Sequence, residues 1–350
     1  MNHFTRQNNF DFLRFIAAAM VIFSHSYPLT GVNANEPLLK FSNGQWTLGG
    51  IAVSIFFIIS GFLITHSFMN SKSLSDYFLK RILRIYPGLI VVILLTCFKL
   101  GPITSNLSLK EYFSNIQTYY YLGNVVLFPV IYSLPGVFEQ NVYPSAVNGS
   151  LWTIPYEIIC YLLVPIMAVL GLMKQKRLLL SLLFIFIIFL VVLPQSVLGI
   201  TKNGIILGSF MELFLCFLVG VLFYFGLSHI RFNIIYFLCT FVLTLYFMHF
   251  GNFKILVIPL IAYMIFFVAF SKIIKLNQFA KFGDLSYGLY IYAFPVQQTV
   301  QYFTNNTLNN IEHFLISFFI TLIFAFLSWH LVEKHFVKNK TFYYEKLKRL

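Results

Sequence analysis

The sequence predicts an all-α fold, a polytopic membrane bundle of about ten transmembrane helices with both termini in the cytoplasm. Composition is the first reason, because the 350-residue chain is 59% hydrophobic and 10% charged, whereas soluble globular proteins carry about 25% charged residues. The second reason is that apolar residues form ten runs, most of them near the roughly 20 residues that a helix needs to cross a bilayer. In chain order the runs cover 12–29, 48–69, 82–100, 150–171, 178–193, 205–226, 232–249, 254–270, 284–303 and 313–332.

The distribution of basic residues predicts the orientation of the bundle. If the N-terminus is inside, the outer segments hold only Lys40, Lys110, Lys202 and Lys254, and Lys99 lies at an outer helix end. The other 19 of the 24 Lys and Arg then lie in inner segments. An excess of Lys and Arg is typical of cytoplasmic loops, so both termini are expected there. The net charge of +13 is therefore explained by topology and requires no nucleic-acid partner.

We expect one membrane domain over residues 1–350, with no internal repeat and no appended soluble domain. The outer loop 102–149 is long, which favours either a lid over a binding surface or a packed cap. The basic tail 333–350 is expected on the cytoplasmic face, along anionic headgroups. No small-residue cleavage site follows the first run, so it is interpreted as a retained span. The four cysteines lie within apolar runs without metal-ligand spacing, and no metal is expected.

The first apolar run carries two ionisable residues on one face. Arg14 and His25 are 11 residues apart, close to three helical turns, so their side chains point the same way about 16 Å apart along the axis. Ionisable groups are costly in lipid, and they usually face the protein interior and mark a functional path.

His25 and Glu157 are the candidate catalytic residues. Helix lengths place both about 10 Å below the outer surface of the bilayer. A carboxylate beside an imidazole fixes its tautomer and raises its basicity, as a general base requires. Glu212 enters its helix at a similar depth and competes for the carboxylate role. The alternative is a buried His–Glu hydrogen bond that only joins two helices.

Basic residues on the cytoplasmic side form a candidate anion site. Arg81 and Arg84 are spaced i, i+3 and share a helix face, and two guanidinium groups can bind phosphate oxygens bidentately. Ordinary positive-inside flanking is the simpler explanation of the pair by itself. Arg14, with Asp11 at i−3, lies on the same side of the membrane and is grouped with this pocket.

A stretch of small residues and one further pair complete the candidates. Ser60 lies in the segment 49–62, whose glycines and serines allow close helix packing. They also allow a thin wall beside a channel for an extended ligand, so Ser60 is included among the donor-binding candidates. His330 and Glu333, at i, i+3, are a weaker pair.

Six motifs, in this order along nearly the whole chain, resemble the acyltransferase 3 family of membrane acyltransferases. They are Asp11–Arg14 with His25, then 56–64, 81–87, 151–157, 286–290 and 329–333. The resemblance implies acyl transfer from a cytoplasmic acyl-CoA, by default acetyl-CoA, to hydroxyls of envelope or extracellular glycans. It implies that Arg14 and His25 are essential, that Arg81 and Arg84 bind the donor, and that Glu157 assists.

The chain departs from the family at two points. Ala293 stands where many members have a histidine, so any role of that histidine is absent here. The outer hydrolase-like domain of some members is not expected, so transfer would finish on the membrane bundle or on a separate partner.

The resulting hypothesis is an O-acyltransferase in a bacterial plasma membrane. Its expected partners are acyl-CoA, a glycan or glycolipid acceptor on the outer face, and the lipid itself. A proton-coupled transporter that uses the buried His and Glu as a relay is the alternative, although inverted repeats typical of many carriers are not evident. A membrane scaffold would leave the arrangement of Arg14, His25 and Glu157 unexplained.

Overall fold

The computed structural model describes residues 8–202, 205–251, 254–271, 274, 276 and 278–347. Several basic residues of the topology argument lie outside the described residues: Arg6, Lys272, Lys275, Lys348 and Arg349. Each of the ten predicted apolar runs contains one long helix. The ten helices are α1 (Phe10–Leu29), α2 (Leu48–Met69), α3 (Leu74–Leu95), α4 (Ile154–Val169), α5 (Lys176–Val192), α6 (Leu207–Gly226), α7 (Ile234–Phe250), α8 (Lys254–Ala269), α9 (Ser286–Phe303) and α10 (Asn310–Ser328).

Six helical segments are long and apolar enough to cross a membrane: Phe10–Leu29, Leu48–Met69, Leu74–Thr104, Gly149–Val169, Leu207–His229 and Asn310–Lys338. Helices α5, α7 and α8 are apolar but shorter, and α9, with 18 residues, contains three glutamines. The structure thus confirms a helical membrane protein. The count of about ten spans and the cytoplasmic termini stay predictions.

Short elements join the long helices. The all-α prediction misses one small antiparallel ladder between α5 and α6, formed by β1 (Thr201–Lys202) and β2 (Ile205–Ile206). The short α-helices are Pro37–Phe41, Gly101–Thr104, Leu109–Ser114, Ile116–Tyr120, Gln195–Leu198, Lys334–Lys338 and Lys340–Leu347. The 3-10 turns are Asn33–Asn35, Tyr121–Val125, Gly149–Thr153, Leu227–His229 and Phe279–Phe282, and π turns cover Thr96–Leu100 and Trp329–Glu333.

The chain forms two units, and α1 contributes its first part to one and its second part to the other. The first unit comprises Met1–Ala17, Pro37–Leu74 and Tyr156–Phe282. Its centre is the close crossing of α2 and α6, where a side chain at Gly61 would overlap the carbonyl oxygen of Phe217. At Gly61 the structure therefore shows the close helix packing that small residues allow.

The second unit comprises Ala18–Glu36, Ser75–Pro155 and Gly283–Leu350, and α9 lies at its centre. Its glutamines are buried and bonded to main-chain carbonyls. Gln297 donates to the oxygen of Ile22 (2.8 Å), and Gln301 donates to that of Leu29 (2.9 Å). These bonds hold the second half of α1 against α9.

The long loop 102–149 is a folded cap on the second unit. Asn148 donates to the Ile291 oxygen of α9 (3.0 Å), and Gln298 of α9 donates to the Tyr143 oxygen (2.7 Å). The Tyr112 hydroxyl donates to the Cys97 oxygen at 2.8 Å, and burial raises the pKa of this phenol. These are the contacts of a packed cap, one of the two alternatives for this loop.

Three of the four cysteines are packed in the interior. All four are free thiols, and Cys97, Cys160 and Cys216 are buried in apolar helices, whereas Cys239 is exposed.

Candidate functional site

The seven predicted site residues are divided between the two units. The first unit holds Asp11, Arg14, Ser60 and Glu157, and the second holds His25, Arg81 and Arg84. Arg14 and His25 lie on one uninterrupted helix, α1, as their spacing predicts.

His25 lies beside an aromatic ring of α9. The Phe294 ring meets the imidazole edge-on, with centroids 5.4 Å apart and an interplanar angle of 81°. Nδ1 of His25 is buried and forms no hydrogen bond with any residue in the described part of the chain. Buried polar atoms are nearly always hydrogen-bonded in folded proteins, so this nitrogen is a natural place for a substrate group to bind.

The cap fixes the ring that contacts His25. A Cβ at Gly149 would lie only 2.7 Å from the Phe294 ring, so glycine at this position leaves room for the phenylalanine. The Tyr143 ring also contacts Phe294 edge-on, with centroids 6.2 Å apart. Phe294 is a site residue that the sequence analysis missed, because an aromatic residue in an apolar run carries no distinguishing pattern.

The residues on either side of His25 are anchored within the second unit. Ser24 donates to the Glu36 carboxylate at 3.3 Å, and Glu36 is 1% exposed. Ser26 accepts a hydrogen bond from Gln297 at 3.2 Å. The sequence analysis did not single out Glu36, although its presence among just 11 acidic residues was a usable sign.

Glu157 lies in the first turn of α4 and accepts a hydrogen bond from the Tyr161 hydroxyl, one turn further on. The neighbouring Tyr156 stacks on Phe210 of α6, with centroids 6.5 Å apart. Glu212, the competing carboxylate, is exposed on α6. Glu157 therefore has the more constrained surroundings of the two, while its pairing with His25 stays a prediction.

Arg84 is the centre of an ionic and aromatic cluster in the second unit. Its guanidinium lies 2.6 Å from the Asp284 carboxylate and 3.7 Å from that of Glu333. The rings of Tyr287 and Trp329 flank it, with the guanidinium carbon 5.7 and 5.9 Å from their centroids. Cations are attracted to aromatic faces at such distances. Arg84 thus connects α3 with the start of α9 and with the π turn after α10.

Both carboxylates of this cluster are also oriented by hydroxyls. Asp284 accepts from Ser286 at 2.6 Å, and Glu333 accepts from Ser328 at 2.8 Å. His330, predicted as a weak partner of Glu333, has its Nδ1 3.0 Å from the Phe326 oxygen. The sequence analysis did not distinguish Arg81 from Arg84. In the structure Arg84 holds the carboxylates and aromatic rings of this cluster together. A donor-binding role for either arginine stays a prediction.

The remaining candidates lie in the first unit. Ser60 Oγ is buried and has no hydrogen-bond partner within the described residues, and the side chains of Asp11 and Arg14 are partly buried. Among the described residues, no group of three or more His, Cys, Asp or Glu has the arrangement of a metal site.

Comparison with known proteins decides the class of this chain. The family model described as an acyltransferase domain, that of acyltransferase 3, matches residues 7–330. The chain belongs to this family. It is 34% identical, over 359 aligned positions, to an O-acetyl transferase of Shigella phage Sf6, with 96% of this chain and 98% of the relative covered.

A second relative covers less of the chain. Nodulation protein 10 of Rhizobium leguminosarum bv. viciae is 35% identical over 171 positions, which is 46% of this chain and 44% of the relative. No solved structure matches. Family membership and the full-length relative identify the protein as an enzyme of the O-acetyltransferase class in a membrane-embedded helical fold, which confirms the resemblance seen in the sequence.

The Arg84 cluster generates a first prediction. Arg84→Gln should lower the thermal unfolding temperature of the detergent-purified enzyme strongly, because it leaves two carboxylates without their cation. Loss of one partner of a buried ion pair costs about 3–5 kcal/mol. The matched control is Lys338→Gln in the same unit, a change at an exposed lysine, which should alter stability by about 0.5 kcal/mol or less. Equal unfolding temperatures for the two variants would show that the cluster does not stabilise the fold.

Proposed function

We propose that this enzyme moves an acetyl group from cytoplasmic acetyl-CoA to a hydroxyl of a cell-surface or secreted glycan, in the plasma membrane of a bacterium. The observation that carries the proposal is the position of His25, in a membrane helix with a buried ring nitrogen that has no partner among the described residues. The similarity to an O-acetyl transferase over nearly the full length supports acetyl as the transferred group.

In the proposed reaction His25 acts as the general base. The imidazole takes the proton of the acceptor hydroxyl, and the oxygen attacks the thioester carbonyl of the donor. The C–S bond breaks, and the protonated imidazole returns its proton to the departing thiolate of CoA. An acyl intermediate on the protein would use the same base in two successive steps. Both routes require an unprotonated nitrogen aimed at the substrate.

The proposed donor path runs along α1. The separation of about 16 Å between Arg14 and His25 is similar to the length of an extended CoA arm. Arg14, with Arg81 and Arg84 on the same predicted side, would bind the phosphates of CoA. Asp11 would orient Arg14 from one turn earlier, and Ser60 offers a hydroxyl along the path. Because Arg84 already contacts two carboxylates, Arg14 and Arg81 are expected to contribute more to donor binding.

Glu157 is proposed to orient the imidazole. A carboxylate that accepts a hydrogen bond from one ring nitrogen leaves the other nitrogen free to accept a proton. Tyr161, which already donates to Glu157, would keep that carboxylate in place. No metal takes part in this scheme.

The test of the catalytic assignment is His25→Gln. We expect transfer to fall by about 10²–10⁴-fold, the usual contribution of general-base catalysis, while the protein still inserts into membranes. Surface glycans from a deletion strain carrying each variant would be analysed for O-acetyl groups by mass spectrometry. The matched control is His335→Gln, a change at an exposed histidine. Normal glycan acetylation by well-expressed His25→Gln would refute the assignment.

A second test concerns the donor. Arg14→Lys keeps the positive charge and loses the planar pair of donors that matches a phosphate. The KM for acetyl-CoA should therefore rise more than kcat falls, which is the pattern of lost binding. Arg231→Lys, on the same predicted side of the membrane, is the control. A KM that is unchanged in Arg14→Lys would assign Arg14 a structural role.

The predicted topology gives a third test. In proteoliposomes of defined orientation, acetyl-CoA should support transfer only from the side that carries the C-terminal tail. Acceptor should be modified only on the opposite side, because positive-inside topology places the basic residues and His25 in opposite halves of the membrane. Full activity with donor and acceptor both on the tail side of sealed vesicles would exclude transfer across the membrane.

A further inference from the structure

The second unit contains an apolar groove that the reaction scheme does not use. It lies between the end of α3 with its π turn, α9, and α10, and has a volume of about 270 Å³. Its lining is mostly apolar and includes Val92, Ile103, Val296 and Phe324. The volume is close to the lower end of the range for small-molecule sites, about 300–1,000 Å³.

The groove has a single cation at its edge. Thr96, Lys99, Tyr292 and Thr299 are the only lining residues with polar side chains. The hydroxyl of Thr299 donates to the Pro295 oxygen at 2.6 Å. Lys99 is exposed and forms no ion pair or hydrogen bond through its ammonium within the described residues. An apolar groove that ends at one free ammonium is complementary to a hydrocarbon chain with an anionic head.

Lys99 lies in an irregular turn of the backbone at the edge of the groove. Residues Thr96–Leu100 form a π turn, which shifts the helix register and so turns the following side chains away from their α-helical directions. Single π turns occur frequently at functional sites.

The groove and His25 lie on different sides of α9. On α9, Phe294 contacts His25, whereas the next residues, Pro295 and Val296, line the groove. In the predicted topology α3 and α9 both run outward, which places Lys99 and Thr299 in the outer half of the bilayer. His25 is predicted in the same half.

We propose that this groove binds the lipid part of a lipid-linked glycan acceptor, with the hydrocarbon chain between α3, α9 and α10 and its phosphate on Lys99. The inference rests on the proposed function and specifies its acceptor class. Binding of the chain would hold the attached sugar at the outer end of α9, within reach of His25. Such remote binding energy orients a substrate and raises its effective concentration at the reacting groups. A lipid of the surrounding bilayer is the competing occupant.

The experiment is photolabelling of the full-length enzyme in phosphatidylcholine nanodiscs. The probe is a diazirine-bearing alkyl chain joined through a phosphodiester to glucose, and two comparison probes are the same alkyl glucoside without phosphate and a diazirine phosphatidylglycerol. Labelled residues are identified by mass spectrometry. We expect saturable labelling of the groove by the phosphate-linked probe, competed by its unlabelled form and not by phosphatidylglycerol.

Three variants sharpen the test. Lys99→Gln should weaken binding of the phosphate-linked probe about fivefold, as expected for one partly exposed ion pair, and leave the phosphate-free glucoside unaffected. Ile103→Trp fills the mouth of the groove at a position that is 62% exposed, so it should block labelling without disturbing the fold. Phe319→Trp on α10, 60% exposed and outside the lining, is the matched control and should label normally.

These outcomes test the proposed groove site separately from the proposed catalytic role of His25. Equal labelling by phosphatidylglycerol, or a Lys99→Gln variant that binds the phosphate probe normally, would overturn it and identify a groove for bulk lipid. His25→Gln should be labelled like the native protein, because His25 does not line the groove. Loss of groove labelling together with retained acetylation in Ile103→Trp would show that the acceptor does not need this site, while the acetyl transfer itself would stand.

Discussion

The hydrogen bonds from buried glutamines of α9 are the constraint on which the second unit depends. Inside a bilayer no water satisfies a polar side chain, so an amide without a partner is costly. Gln297 and Gln301 donate to main-chain oxygens of α1, at Ile22 and Leu29. His25 lies between these two contacts in sequence, so the bonds determine where its imidazole points. His313 of α10 in turn bonds the Gln297 carbonyl at 2.9 Å.

The other end of α9 is held by charge instead of amides. Asp284, just before the helix, forms the ion pair with Arg84, and Tyr287 stacks on the same guanidinium. Between these two ends, Gly288 lies so close to α10 that a Cβ would be 2.8 Å from the Ala325 Cα. Helix α9 is thus fixed along its length. One of its faces contacts the candidate base, and neighbouring residues line the groove.

Hydropathy was sufficient to predict where the helices lie, because burial in lipid requires long apolar runs and little else. It was a poorer guide to α9, whose glutamines lower its apolar character although they are what hold it in place. The stripe of Arg14 and His25 could be read from spacing alone, since both lie on one helix. Contacts between distant parts of the chain could not be predicted in this way, because Arg84 and Asp284 are 200 residues apart. Nothing in the local pattern distinguishes Arg84 from Arg81. Glu36 and the groove were missed for the same reason.

The two kinds of polar residue in this membrane bundle suggest different roles. The amide nitrogens of the α9 glutamines and the carboxylate of Asp284 have partners within 3 Å, which is the condition for a structural role in a low-dielectric interior. Nδ1 of His25 is buried without one among the described residues, a state that costs stability. Cost of this kind concentrates at functional sites. Nδ1 of His313 also lacks a partner in the described part of the chain, but its Nε2 bonds the Gln297 carbonyl. A histidine that only joined helices would be expected to make such a bond. None is found for His25 within the described residues, which favours a histidine that is completed by its substrate.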